Sequence, residues 1–119
     1  MKRTDKIKAL RPEIDVADTS VTSEEIFQNT VLRPILKFQN DLIITWFEEL
    51  VVSYKLNLTE DARGKLKNLL SKNASSQSEL KGIIIGHFTA VEFKEYSSHS
   101  KALGKRIIDM AIERFLCQR

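Results

Sequence analysis

A long repeat of apolar residues between Leu32 and Tyr54 limits what this chain can fold into more than any other feature. Apolar side chains recur there at steps of three and four residues: Leu32, Ile35, Leu36, Leu42, Ile43, Trp46, Phe47, Leu50 and Tyr54. This spacing places one apolar stripe along an α-helix. The pattern therefore predicts a long central helix over about residues 31–56, against which the rest of the core packs.

Signals for helix starts and ends recur along the chain. The candidate N-cap residues are Thr22, Thr30, Thr59, Ser76 and Thr89. Thr22, Ser76 and Thr89 each precede a glutamate by three residues, which is the spacing of a capping box. Pro34 fits the first turn of a helix that Thr30 would cap. Asn57 is expected as a C-cap, and residues 73–78 are expected to form a polar loop.

Residues 82–88 allow two interpretations. Three consecutive isoleucines favour a strand, and Gly82 and Gly86 would each cost a helix about 1 kcal/mol. A lone strand is unstable, however, and no second candidate strand is present to pair with it, which favours a helix. The GxxxG spacing of the two glycines favours the close approach of another backbone, and the alternative is the approach of a ligand.

The last helix is expected over about residues 100–117. Its apolar residues occupy much of its circumference: Leu103, Ile107, Ile108, Met110, Ala111, Ile112, Phe115 and Leu116. Such a helix is buried on more than one side or contributes to a dimer interface. Only four glycines and two prolines are present in 119 residues. The sequence therefore predicts an all-α, single-domain bundle of five or six helices, built around the helix over 31–56 and this C-terminal helix.

Residues 1–20 lack helical periodicity and are expected to form an N-terminal arm, extended or partly disordered, ahead of a helical domain over 21–119. No apolar segment follows the charged N-terminus, and no run approaches the roughly 20 apolar residues of a membrane span. The single cysteine, Cys117, excludes an intrachain disulfide, and no Cys/His cluster suggests zinc. We therefore expect a cytoplasmic protein with no membrane association, no metal and no cofactor.

The net charge of +3 is unevenly distributed, because residues 21–60 are mildly acidic and residues 61–119 are basic. This distribution permits head-to-tail association or an anionic partner. The basic residues that could share a face are Arg63, Lys65, Lys67, Lys101, Lys105 and Arg106. Acidic residues are interspersed with them, so a solvated helix surface is favoured over a nucleic-acid interface.

Five polar residues are candidates for a ligand-binding site: Arg33, Gln39, Asn40, His87 and Arg106. Gln39 lies within the apolar stripe and needs a hydrogen-bond partner if it is buried, either a neighbouring helix or a ligand. His87 is expected to end a helix, where its imidazole can bond a terminal carbonyl, and the alternative is a base or ligand. No catalytic residue is predicted, because phosphate-loop, HExxH and GxSxG motifs are absent from the sequence.

Three stretches together resemble a family of small helical bacterial proteins of unknown function, some of which carry the label glyoxalase. These stretches are residues 32–41, 79–89 and 103–109, and the resemblance extends over most of the chain from about residue 22. It implies a helical fold and brings no catalytic residue with it. Metal-dependent glyoxalases need separated His, Glu and Gln ligands on strands, or a His-x-His-x-Asp-His run. Only His87 and His99 are present here, so the residue pattern does not support that activity.

The leading functional hypothesis is a non-catalytic interaction or regulatory module, with a protein partner or a homodimer through the C-terminal helix. The alternative is a small-molecule-binding protein or small enzyme with a pocket near Gln39, Asn40 and His87. A second alternative is a nucleic-acid-binding module.

Overall fold

The computed structural model of the chain describes residues 2–13 and 22–119. Its helices are α1 (Arg3–Leu10), α2 (Ser23–Phe27), a π-helical segment (Gln28–Leu32), α3 (Arg33–Phe38), α4 (Asn40–Ser53), α5 (Ala62–Lys72), α6 (Ala74–Ile85), α7 (Ala90–Ser98) and α8 (Ser100–Gln118). Because α2, the π-helical segment and α3 are continuous, the described chain has seven separate helices and no strand. The all-α prediction is confirmed, with more helices than the five or six expected. Within the described ranges, no helix has both the length and the apolar character needed to cross a bilayer.

Helix α8 lies at the centre of the bundle and packs against α4, α5, α6, α7 and the π-helical segment. Its buried residues are Leu103, Gly104, Ile107, Ile108, Ala111, Ile112 and Phe115. Phe115 stacks on Phe47 of α4, with ring centroids 4.9 Å apart and an interplanar angle of 11°. The predicted C-terminal helix is therefore confirmed. It is α8, rather than a helix over 31–56, that packs against most of the other helices.

The helix predicted over residues 31–56 is divided at Gln39, where α3 ends and α4 begins. The backbone of Gln39 departs from helical geometry, with φ −89° and ψ 11°. Its side-chain Nε2 donates a hydrogen bond of 3.1 Å to the carbonyl oxygen of Ile83 in α6. The apolar repeat did not reveal this bend because residues on both sides of it, such as Leu36 and Ile43, are buried in the same core.

Pro34 accounts for the π-helical segment that precedes it. Proline has no N–H, and its ring crowds the carbonyl four residues earlier, which here belongs to Thr30. The N–H of Arg33 bonds the carbonyl of Gln28, five residues back, so the turn before the proline is widened. Thr30 is not an N-cap, because its hydroxyl donates to the carbonyl of Ile26 within the helix.

The helix start predicted at Thr22 is confirmed, since its hydroxyl accepts from the N–H of Glu25 at 3.1 Å. Two other starts differ from the prediction. Asp61, not Thr59, caps α5 through its carboxylate. Asn73 caps α6 by accepting from the N–H of Ser76, so the polar run expected to be a loop is the first turn of a helix. Asp and Asn are at least as effective N-caps as Ser and Thr, which explains the two shifts.

The end of α4 also differs from the prediction. Lys55, two residues before the expected cap Asn57, adopts the left-handed conformation with φ 52°. The N–H of Leu56 returns to the carbonyl of Val51 at 3.0 Å, which is the hydrogen bond of a Schellman motif. The chain therefore leaves the helix at a lysine, a residue that local composition does not single out for this role.

The ambiguous residues 82–88 begin as the last turn of α6 and then form a turn, so the helical interpretation is confirmed. The close backbone approach expected at the two glycines of α6 is wrong at Gly82, where an added Cβ would meet nothing within 4 Å. Gly104 of α8 is instead approached closely by a side chain. A Cβ there would lie 3.1 Å from Nζ of Lys81.

Helix α1 lies where an extended or partly disordered arm was expected over residues 1–20, although Met1 and residues 14–20 of that arm lie outside the described residues. Ile7 is its buried side chain. The guanidinium of Arg3 donates to the carbonyls of Gly86 and Phe88, at 3.1 and 2.9 Å, and Arg11 donates to that of His87 at 2.8 Å. Cationic side chains thus bind the carbonyl groups beyond the C-terminus of α6, where the helix dipole is negative.

Arg11 also binds Glu92, which completes the capping box of α7. The two side chains form hydrogen bonds of 2.6 and 2.7 Å and are only 10% and 13% exposed. Glu92 in turn accepts from the N–H of Thr89, whose hydroxyl accepts from the N–H of Glu92. The predicted capping box at Thr89 is therefore confirmed, and the same carboxylate holds α1 against the bundle.

We expect Glu92→Gln to lower the free energy of unfolding by about 3 kcal/mol, because it leaves the buried Arg11 guanidinium without its counter-charge. Burial raises the pKa of the Glu92 carboxyl, but hydrogen bonds from Arg11 and Thr89 outweigh it and hold the pKa below its ordinary value of 4.5. The stabilisation that the ionised Glu92 carboxylate contributes is therefore complete above pH 4.5. It is lost as the pH falls through the lower pKa that this carboxyl has in the folded state.

Urea unfolding at a series of pH values measures both effects. The matched control is Glu95→Gln on the exposed face of α7. An equal loss of stability in the two variants would contradict the role of the Arg11–Glu92 pair.

We also expect Phe47→Ala to cost about 3–5 kcal/mol, since the ring is fully buried and stacked on Phe115. Phe93→Ala, the same change at a ring that is 47% exposed, should cost much less. Thermal or urea unfolding followed by circular dichroism compares the two, and similar losses would contradict the assigned core.

Candidate anion-binding groove

A groove of about 670 Å³ runs between α3 and the C-terminal half of α8. Its lining residues are Gln28, Arg33, Leu36, Lys37, Asp109, Met110, Glu113, Arg114, Cys117 and Gln118. Arg33 and Lys37 are four residues apart in one helix, as are Met110 and Arg114 in the other, so each pair projects from one face. The volume is within the usual range of small-molecule sites, roughly 300–1,000 Å³.

Three cationic side chains, Arg33, Lys37 and Arg114, line this groove together with two carboxylates. The carboxylates are engaged with α5. Asp109 lies 3.4 Å from the ammonium of Lys67, and Glu113 forms an ion pair with Arg63. Within the described chain, no carboxylate forms an ion pair with the three cations of the groove. The α3 side of the groove therefore carries an uncompensated positive charge.

The guanidinium of Arg114 is held in place by Asn40. Its Nη1 donates to Oδ1 of Asn40 at 3.1 Å. The amides of Asn40 and Gln118 donate to each other at 2.9 and 2.8 Å, which orients Oδ1 toward the arginine. Burial lowers the pKa of Arg114, and the neighbouring charge of Arg33 lowers it further. A bound anion would relieve both costs of holding this charge.

Apolar side chains form the floor between the charged groups. Leu36 is buried and belongs to the core, and Met110 is partly buried against it. A ligand with one anionic end could therefore place its charge near the guanidinium groups and its apolar part over Leu36 and Met110.

Of the five candidate site residues, one lines this groove and two form hydrogen bonds with residues that line it. Arg33 lines it, Asn40 positions Arg114, and Nη1 of Arg106 donates to Oε1 of Gln28 at the groove's edge. Gln39 and His87 lie elsewhere. Gln39 bonds α6 through the carbonyl of Ile83, and the His87 ring packs on that of Phe38 with centroids 5.3 Å apart. Gln39, Asn40 and His87 thus contact different partners, and none of the three lines the groove between α3 and α8.

The sequence analysis missed Lys37 and Arg114, although both contribute charge to the groove. The spacing of Arg33 and Lys37 shows that they share a helical face. Nothing in the spacing showed that this face lies across the groove from Arg114, because Arg114 belongs to α8, far along the chain.

The groove offers a binding surface rather than an evident metal site. No cluster of three or more His, Cys, Asp or Glu side chains suited to a metal ion occurs among residues 2–13 and 22–119. Comparison with protein-family models, with curated proteins and with solved structures finds no match. The functional argument therefore depends on the chemistry of the groove itself.

His87 provides a check of the α1 contacts around the turn after α6. Burial lowers its pKa below the ordinary 6.5, and the charges of Arg11 and Arg3 lower it further. A lowered pKa means that protonation of His87 opposes folding, so the free energy of unfolding declines as the pH falls below 6.5.

We expect an NMR titration of the His87 ring to show a midpoint below 6.5 that rises toward 6.5 in Arg3→Gln. A wild-type midpoint at or above the ordinary value would contradict this placement of α1.

Proposed function

We propose that this chain is a non-catalytic binding module for a small amphiphilic anion, a carboxylate that carries an apolar chain. The observation that supports the proposal is the uncompensated charge of Arg33, Lys37 and Arg114 beside the apolar floor of the groove. Guanidinium groups match the planar carboxylate and can donate two hydrogen bonds to it. Leu36 and Met110 would bury part of the chain, at about 0.8 kcal/mol for each buried CH₂ group.

Each polar residue then has a distinct role. Arg114 binds the carboxylate, and Asn40 is a positioning residue that holds Arg114 in the groove. Arg33 and Lys37 supply further positive charge from the opposite wall. A ligand in this groove would contact both α3 and α8 and strengthen their association. Through this effect on helix packing, the ligand would give the chain a regulatory role.

We expect octanoate to bind this groove, as measured by calorimetry or by NMR titration. Arg114→Gln and Arg33→Gln should each weaken binding about tenfold or more, since each removes a charge-assisted hydrogen bond of about 1.5–3 kcal/mol. The matched control is Lys94→Gln, which removes one charge from the exposed surface of α7 outside the groove. Equal affinity in all variants, or the absence of saturable binding by wild type, would contradict the proposal.

Cys117 offers an independent measurement, because it lines the groove, is exposed, and is the single cysteine of the chain. Octanoate in the groove should slow alkylation of this thiol by iodoacetamide. The protection should be lost in Arg114→Gln but retained in Lys94→Gln. Unchanged alkylation at saturating octanoate would place the ligand elsewhere.

A homodimer through α8, a protein partner and a cytoplasmic location remain predictions. Most of the apolar residues of α8 that suggested a dimer are buried within the chain, so they do not require a second copy. Size-exclusion chromatography with light scattering tests the dimer, and a clean monomer at high concentration would remove it.

Nucleic-acid binding stays the less favoured alternative. Of the basic residues considered for it, Arg63, Lys67 and Arg106 engage side chains of the chain itself. Binding to DNA or RNA with a steep dependence on salt would support it.

A further inference from the structure

A second, smaller cavity lies where α5, α6 and the N-terminal half of α8 meet, and the groove between α3 and α8 does not account for it. Its volume is about 340 Å³. Four lysines from these three helices line it: Lys67, Lys81, Lys101 and Lys105. The glycine Gly104 contributes to its wall.

The charge of this cavity is strongly unbalanced. Asp109 is the carboxylate in its lining, and it is paired with Lys67 at 3.4 Å. Among the described residues, no carboxylate forms an ion pair with Lys81, Lys101 or Lys105. Like charges gathered in one concave site repel each other and raise the local concentration of anions. An anion of more than one charge would offset this repulsion most effectively.

Lys81 is positioned within the cavity by Gln77, which is itself bonded to α5. The Gln77 amide donates to the carbonyl of Leu70 at the end of α5, and its Oε1 accepts from Nζ of Lys81 at 3.1 Å. The missing side chain of Gly104 leaves the space that this ammonium occupies, since a Cβ would lie only 3.1 Å from Nζ. A buried glycine within the N-terminal half of α8 costs the helix about 1 kcal/mol relative to alanine, and the position of Lys81 gives that cost a structural reason.

We propose that this cavity binds the phosphate group of a small soluble phosphate compound, with a diphosphate as the preferred form. Each lysine ammonium carries three N–H donors on a flexible stem, so several of them can surround a tetrahedral oxyanion. Four lysines line this cavity and Ile108 is its large apolar side chain, whereas the groove between α3 and α8 places Leu36 and Met110 beside its cations. The proposal is independent of the proposed function, because different residues carry it.

The test is a titration of the full chain with inorganic pyrophosphate at low ionic strength, followed by calorimetry and by NMR. We expect saturable binding that weakens as salt is added. Lys81→Gln and Lys105→Gln should each lower the affinity about tenfold, and Lys94→Gln on α7 should leave it unchanged within about twofold.

Gly104→Ala provides a variant that should remain folded, because alanine favours the helix and the displaced group is the end of a flexible side chain. It should weaken pyrophosphate binding by moving the Lys81 ammonium, without removing any charge. Asp109→Asn should strengthen binding by removing the one carboxylate of the lining.

Three results would overturn the proposal. These are the absence of saturable pyrophosphate binding, an equal loss of affinity in the Lys94→Gln control, and unchanged affinity in both Lys81→Gln and Lys105→Gln. Binding to phosphatidylcholine vesicles that carry phosphatidic acid, without binding to pyrophosphate, would also overturn it in favour of a lipid headgroup.

Discussion

The packing of α8 against helices on several sides is the constraint on which the rest of the structure depends. Its apolar residues, among them Ile107, Ala111 and Phe115, are buried in contacts with neighbouring helices. Charged residues between them, such as Lys105 and Arg114, line the concave surfaces beside α8, because every helical position has a fixed direction around the axis. The two charged concave surfaces of the molecule are therefore consequences of the central position of α8.

Two carboxylates of α8, Asp109 and Glu113, lie in the lining of these concave surfaces. Asp109 lines both the groove between α3 and α8 and the cavity where α5, α6 and α8 meet, and it is paired with Lys67 of α5. Glu113, one turn further on, is paired with Arg63 of the same helix. Exposed pairs of this kind contribute little stability. Their larger effect here is to neutralise the carboxylates, so that the cations on either side are left without a counter-charge.

The sequence predicted elements best where the signal is local. The N-caps at Thr22 and Thr89 were identified because a capping side chain and its N–H partner are three residues apart. The bend at Gln39 could not be predicted in the same way, since its side chain is bonded to a carbonyl in α6. Likewise, α1 has little amphipathic pattern of its own, and its position depends on Arg3 and Arg11 reaching the turn after α6. Of the candidate site, Arg33 and Asn40 were predictable as polar groups beside an apolar stripe. Arg114, which donates a hydrogen bond to Asn40, was not predictable in this way.

By itself, the sequence determined that the chain is all-helical, that it has a C-terminal helix apolar around much of its circumference, and where several of its helices begin. These properties follow from spacing within a few residues, which sets the direction of each side chain around its own helix axis. Only the tertiary structure decided that α8 is central, that Arg114 faces Arg33, and that Lys81 shares a cavity with Lys105. Such contacts join residues far apart in the chain, and they depend on how all the helices share one core.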